Sequence, residues 1–173
     1  YQLAEQRRGE FLSGLAKHRV AAVYFLSSLA GSEFEDSWDN GVKNWDQERL
    51  IDRLGKVVSL VRPDIIITMN PDETWAHPQH RGLGQIVQAL HKTGFFDRPD
   101  APGPELYALR EHGWYFESLE HQEGDLTFDR YQWSSVLGAT YADDWRAVTS
   151  TYISQSSHPI WFEARARVGI LPG

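Results

Sequence analysis

Residues 62–90 read RPDIIITMNPDETWAHPQHRGLGQIVQAL, and this stretch decides the fold. Pro63 cannot continue a helix and disfavours helical geometry at Arg62, so a preceding helix stops here. DIIITM is then a short β-favouring run of the kind found in strands buried on both faces. A polar loop follows. His77-Pro78-Gln79-His80 opens a new helical pattern that runs to Gly94, a residue type favoured just past a helix end. His77 precedes a proline, which pushes it out of helical geometry and suits it to the N-cap. Pro78 takes N1, its favoured place, so Gln79 falls at N2 and His80 at N3.

Working outward, residues 45–61 carry Leu50, Ile51, Leu54, Val57, Val58 and Val61 at a 3.6-residue period, which predicts a helix. VAAVYFLSS, residues 20–28, is a continuous apolar run and predicts a second buried strand. Residues 1–18 read as a helix, with Leu3, Phe11, Leu12 and Leu15 on one apolar face. Lys17 and His18 stand at its end, where cations suit the helix dipole. The order helix, strand, helix, strand, helix predicts an α/β fold with a mostly parallel sheet. Beyond a Pro-rich loop at 98–105, GWYFESL (113–119) is a candidate strand and YADDWRAVTSTYISQ (141–155) a late helix. No internal repeat interrupts the chain and the Pro-rich loop does not split it, so residues 1–173 are expected to form a single domain.

Bulk properties narrow the function. The 173 residues are 41% hydrophobic, enough for one domain with a real core. The formal net charge of −7 argues against a nucleic-acid or acidic-membrane partner, since phosphates call for a basic surface. No segment approaches the roughly 20 apolar residues of a membrane helix. Cysteine is absent, so any metal would rely on His, Asp and Glu. The residues leave the oligomeric state open. The cytoplasm is the first expectation for compartment, and a secreted protein fits if a leader has been removed.

In open α/β sheets, ligands bind beyond the carboxyl ends of the strands. Two polar loops leave those ends here, residues 27–41 and 68–80, and the second carries the histidines. The helix dipole disfavours imidazolium at an N-terminus, and a neutral imidazole is the form that binds metal or donates from a fixed tautomer. Asp72 and Glu73 stand just upstream as further candidate donors. The plainer reading is that His77 caps a helix and His80 is a polar first-turn residue. His18, His91, His112, His121 and His158 read as surface or element-end residues. Asp143 and Asp144 read as a solvated helix face.

The segment RPDIIITMNPDETWAHPQHRGLGQIV resembles the second signature of the PIG-L/LmbE-like deacetylases. In that family a helix ends at Arg-Pro-Asp, an apolar strand and an Asp/Asn-Pro loop follow, and Gly-His-Pro-Asp-His opens a helix. These are Rossmann-like zinc hydrolases that remove acetyl groups from N-acetylglucosamine-type sugars and related amides. The resemblance implies a Rossmann-like three-layer α/β sandwich, a Zn2+ cofactor and a small-molecule amino-sugar substrate. It implies His80 as a zinc ligand and His77 as the neighbour that stabilises or protonates the tetrahedral intermediate. RRGEFLSGLAKHRVAAVYFLS is similar to the family's Arg-x-x-Glu helix and the strand after it. That match pairs Arg7 with Glu10 and makes Arg7 a sugar contact. EFEDSWDNG falls where the family carries a sugar-binding Asp, which points to Asp36. Trp75 suits a wall of the sugar site, because aromatic faces pack on apolar sugar surfaces.

The chain departs from the family in three places. Gln79 stands where the family has Asp, removing a carboxylate that would orient a ligand. ETWA replaces a Tyr or Gly-rich stretch. The first signature, Ala-His-Pro-Asp-Asp-Glu, which supplies two zinc ligands and the general base, does not occur. A catalytic zinc needs about three protein ligands. The resemblance therefore implies a first strand upstream of this chain, or a site without catalysis. A non-catalytic sugar-binding relative would keep Arg7, Asp36 and Trp75 without zinc. A different metal protein would use Asp72, His77 and His80 together with a partner chain.

Overall fold

The computed structural model describes residues 2–18, 20–27, 34, 37–72, 77–109 and 131–151. Its elements in chain order are α1 (Gln2–Lys17), α2 (Gln47–Val61), β1 (Ile65–Met69), α3 (Pro78–Lys92), β2 (Glu105–Leu109), β3 (Trp133–Ser134), β4 (Ala139–Thr140) and α4 (Tyr141–Thr149). They fall into two compact units, one spanning Tyr24–Phe116 and the other joining Tyr1–Val23 to Glu117–Gly173. Helices mix with a small parallel sheet, so the α/β class follows as the alternation predicts.

In the Tyr24–Phe116 unit, α2 begins where the Asp46 carboxylate accepts the Arg49 N–H at 3.0 Å. Its apolar stripe buries Leu50 to 2% exposure. The helix ends at Arg62, as the following proline requires. Arg62 takes a left-handed conformation (φ 51, ψ 56), which costs a non-glycine residue about 1–2 kcal/mol. Three contacts hold it there. Its N–H donates to the Val58 carbonyl, its guanidinium pairs with Asp100 at 2.6 Å, and Arg98 donates to its carbonyl at 3.4 Å.

That ion pair makes a pH prediction. The Arg62 guanidinium holds the Asp100 carboxyl below its ordinary value, first by hydrogen bonding and then by charge. A depressed carboxyl pKa contributes stability above the unfolded-state value and loses it as pH falls through the folded value. Asp100→Asn is therefore expected to be slightly less stable at neutral and alkaline pH and to lack the small acid-side loss, so that the two proteins converge as pH falls. Urea melts of both proteins between neutral pH and the acid range check this. The pair is exposed, so the effect is small.

β1 and β2 pair in parallel, from Ile65↔Glu105 to Met69↔Leu109, with α3 between them in sequence and packed on both strands. This β1–α3–β2 crossover is the unit that parallel pairing demands. Thr68 is buried, at 8% exposure, whereas Ile65 and Ile67 on the opposite face are 53% and 63% exposed. β1 is thus buried on one face, where two were expected. α3 comes close to β1 through Gly84. A Cβ there would stand 3.0 Å from the carbonyl carbon of Met69 and 3.0 Å from the nitrogen of Pro71, and nearer still to the Met69 oxygen. Gln85 donates to the Pro71 carbonyl at 3.1 Å, and His91 Nε2 lies 2.8 Å from the Pro104 carbonyl. The helix is so fixed to the loop at each end of its crossover.

Two expectations about strands are corrected. Residues 20–27 form bends and irregular backbone, not a strand, with Val20, Tyr24 and Phe25 exposed. An apolar run becomes a strand only beside a partner that takes up its N–H and C=O groups, and no described strand pairs with these residues. The Leu26 carbonyl instead accepts from the Arg53 guanidinium. Conversely, ELYAL at Glu105–Leu109 is a strand that the Pro-rich loop before it concealed. The candidate strand at 113–119 and the end of the late helix beyond residue 151 lie outside the described residues.

In the other unit, α4 packs on α1. The expected apolar face of α1 does not carry this contact, since Phe11 and Leu12 stay exposed. Glu10 and Gly14 are buried instead, and with Lys17 they make an i, i+4, i+7 stripe. Lys17 donates to the Ala147 carbonyl at 2.7 Å, and the Thr151 hydroxyl donates to the Glu10 carbonyl at 3.3 Å. His18 pairs with Asp144 at 2.6 Å, while Asp143 accepts from the Thr140 hydroxyl at 2.7 Å at the start of α4. The two aspartates are fastened to a helix cap and a neighbouring helix, not merely solvated. No helix among the described residues is long and apolar enough to cross a membrane.

Candidate functional site

The site is built on the first turn of α3, beyond the carboxyl end of β1. His77 is the N-cap (φ −51, ψ 133) and Pro78 the first helical residue, as the sequence predicts. His77 Nδ1 accepts the Gln79 N–H at 3.3 Å. With Nδ1 accepting in the cap, and so carrying a lone pair, Nε2 is the ring nitrogen assigned the proton in the neutral imidazole. His80 lies one turn on, its ring centroid 5.5 Å from that of His77 at an interplanar angle of 50°. Both histidines are half-buried at the positive end of a helix dipole.

A turn at residues 37–42 lies against this helix start. The Ser37 hydroxyl and carbonyl accept from the Asn40 and Gly41 N–H groups at 3.0 and 3.1 Å. Gly41 has φ 54, and a Cβ on it would approach Pro78 Cβ to 3.3 Å. The Gln79 amide donates to the Gly41 carbonyl at 3.4 Å. Val42 fills the space that the absent side chain of Gly82 leaves, since a Cβ there would meet Val42 Cγ2 at 2.6 Å. Gln79 thus has a task that an Asp in its place could not perform, because a carboxylate has no proton to donate.

Trp38 belongs to the same turn. Its indole and the His77 imidazole meet in a T-shaped contact, with centroids 4.7 Å apart and planes at 82°. It is nevertheless 64% exposed. Sequence reasoning missed Trp38 although it lies within the EFEDSWDNG segment. The signal available was an aromatic residue in the loop that leaves the first expected strand end.

The expected site residues are distributed as follows. His77 and His80 come together. Arg7 is exposed on α1, in the other unit. Asp36 and Trp75 lie outside the described residues, as does Glu73. Asp72 is exposed at the end of the loop, its N–H bonded to Asn70 Oδ1 at 3.0 Å. Among the described residues no three His, Asp or Glu side chains stand close enough to hold a metal. The two imidazoles fit a metal only as part of a larger donor set, and Asp72 does not complete it.

No curated relative and no solved structure matches the chain. Residues 1–91 match the family described as PIG-L, GlcNAc-PI de-N-acetylase. The match spans just over half of the 173 residues and includes the whole helix start with its two histidines. With that match, the chain belongs to the PIG-L family.

Proposed function

We propose that the protein is a zinc-dependent hydrolase that removes an acetyl group from an N-acetylglucosamine-type sugar or a related amide. The observation that carries this reading is membership of the de-N-acetylase family through a segment that contains the His77–His80 helix start. In this reading residues 1–173 belong to one Rossmann-like three-layer domain with a mostly parallel sheet. His80 is one zinc ligand, and the rest of the ligand set lies outside the described residues. Zinc supplies Lewis acidity at such a site.

The chain's own groups then have separate tasks. The Nε2–H of His77, held in place by the Nδ1 cap, donates to the oxygen that becomes anionic as the acetamide carbonyl is attacked. The positive end of α3 favours the same charge. Asp36 binds sugar hydroxyls through charge-assisted hydrogen bonds, and Trp75 walls the sugar. The −7 net charge suits a neutral or cationic amino sugar better than a polyanion.

Elemental analysis of the full natural protein tests the metal half of this reading. One zinc per chain is expected, lost in His80→Ala while far-ultraviolet circular dichroism is unchanged. A folded protein with no zinc would overturn it and leave a sugar-binding member of the family as the better account.

A further inference from the structure

We infer that Trp38 is a substrate-binding residue of this site: its exposed indole, set beside His77, is a platform for the apolar face of the sugar ring. The inference rests on the deacetylase reading and adds a specificity element to it. Three observations carry it.

The first is exposure against environment. A tryptophan in the middle of a turn ordinarily buries its ring, because an indole offers one of the largest apolar areas of any side chain. Trp38 keeps 64% of its surface open. The second is position. Its ring is 4.7 Å from the His77 imidazole, whose Nε2–H is the donor proposed for the reacting carbonyl. A sugar resting on the indole would therefore lie beside that imidazole. The third is anchorage. The turn is fixed to α3 by the Gln79–Gly41 hydrogen bond, the Gly41–Pro78 approach and Val42 over Gly82. An aromatic ring on a fixed turn loses little conformational freedom when it binds, and that makes a platform effective. A pyranose has one face of C–H bonds and a rim of hydroxyls. Its C–H face suits the electron-rich face of an indole, while its rim remains open to polar contacts.

The test uses the full natural protein labelled with 5-fluorotryptophan, with methyl N-acetylglucosaminide as the probe. Trp38→Phe identifies the Trp38 fluorine signal among those of the seven tryptophans. The expected result has two parts. The Trp38 signal moves on addition of the sugar, and Trp38→Ala raises KM for acetate release roughly tenfold with kcat little changed. Trp38→Phe is expected to restore most of that loss. Acetate release with no movement of the signal and no KM effect in Trp38→Ala would overturn the platform and leave the deacetylase reading intact. A fall in kcat with KM unchanged would also overturn it, placing Trp38 behind His77 as a positioning residue. If the natural protein neither releases acetate nor shifts the signal, both readings fall together.

Discussion

Gly84→Ala is expected to destabilise the protein by about 1–3 kcal/mol, the usual cost of forcing extra volume into a packed contact. The methyl would meet the backbone of Met69 and Pro71, which no side-chain rotation can move. Either α3 lifts from β1 or the loop after β1 shifts, and either movement displaces the helix start that bears His77 and His80. Gly9→Ala supplies the contrast. Nothing lies within 4 Å of a Cβ at Gly9, on the exposed side of α1. Replacing an interior helix glycine by alanine there is expected to stabilise by roughly 0.5–1 kcal/mol. Urea denaturation of the three proteins checks both signs. Equal stability of Gly84→Ala and the parent would mean that α3 and β1 are not in the contact described.

The second large effect concerns His77, which serves the helix as a cap and, in the proposed reaction, as a donor. Two substitutions separate those tasks. His77→Asn keeps a side chain that accepts from the helix N–H groups, and His77→Ala does not. Losing an N-cap costs about 0.5–2 kcal/mol, so His77→Ala is expected to be less stable than His77→Asn by that order. Both lose the imidazole donor, and removal of one oxyanion donor lowers kcat by about 10²–10³. The expected pattern is two variants of similar low activity and different stability. If His77→Asn kept full acetate release, the histidine would be only a cap, which is the plainer reading of the sequence.

Much of this arrangement is legible in the residues between 45 and 94. The apolar period of α2, the Arg-Pro stop, the β-rich run and the His-Pro start each act through local sterics and hydrogen bonding, so sequence alone states them. The cap at His77 falls in this class. What sequence does not state is how elements meet. Residues 20–28 have strand composition, yet a strand is a relation between two segments and composition describes only one. β2 is five residues long and follows four residues, Ala101–Pro102–Gly103–Pro104, that read as loop. Gly82 and Gly84 look like blemishes in a helix until the neighbours they admit, Val42 and the Met69–Pro71 backbone, are seen. Glu10 and Gly14 defeat the apolar-face argument for α1 in the same way, because they, and not Phe11 or Leu12, are the buried residues of that helix.

The site was legible to the same extent and for the same reason. His77 and His80 are neighbours in sequence, and one helical turn fixes their separation. Trp38 reaches His77 across 39 positions, through a turn fixed to α3 by contacts distant in sequence. The role assigned to Gln79 in the sequence, a missing carboxylate, becomes in the structure a donor to Gly41.

The most direct measurement is release of free amine and acetate from an N-acetylglucosaminyl substrate by the full natural protein, beside His80→Ala and with folding checked by circular dichroism. The expected result is stoichiometric amine and acetate from the natural protein and a loss of at least about 100-fold in kcat/KM for His80→Ala. Undiminished release by a folded His80→Ala protein would contradict the claim that the α3 helix start is the reaction centre.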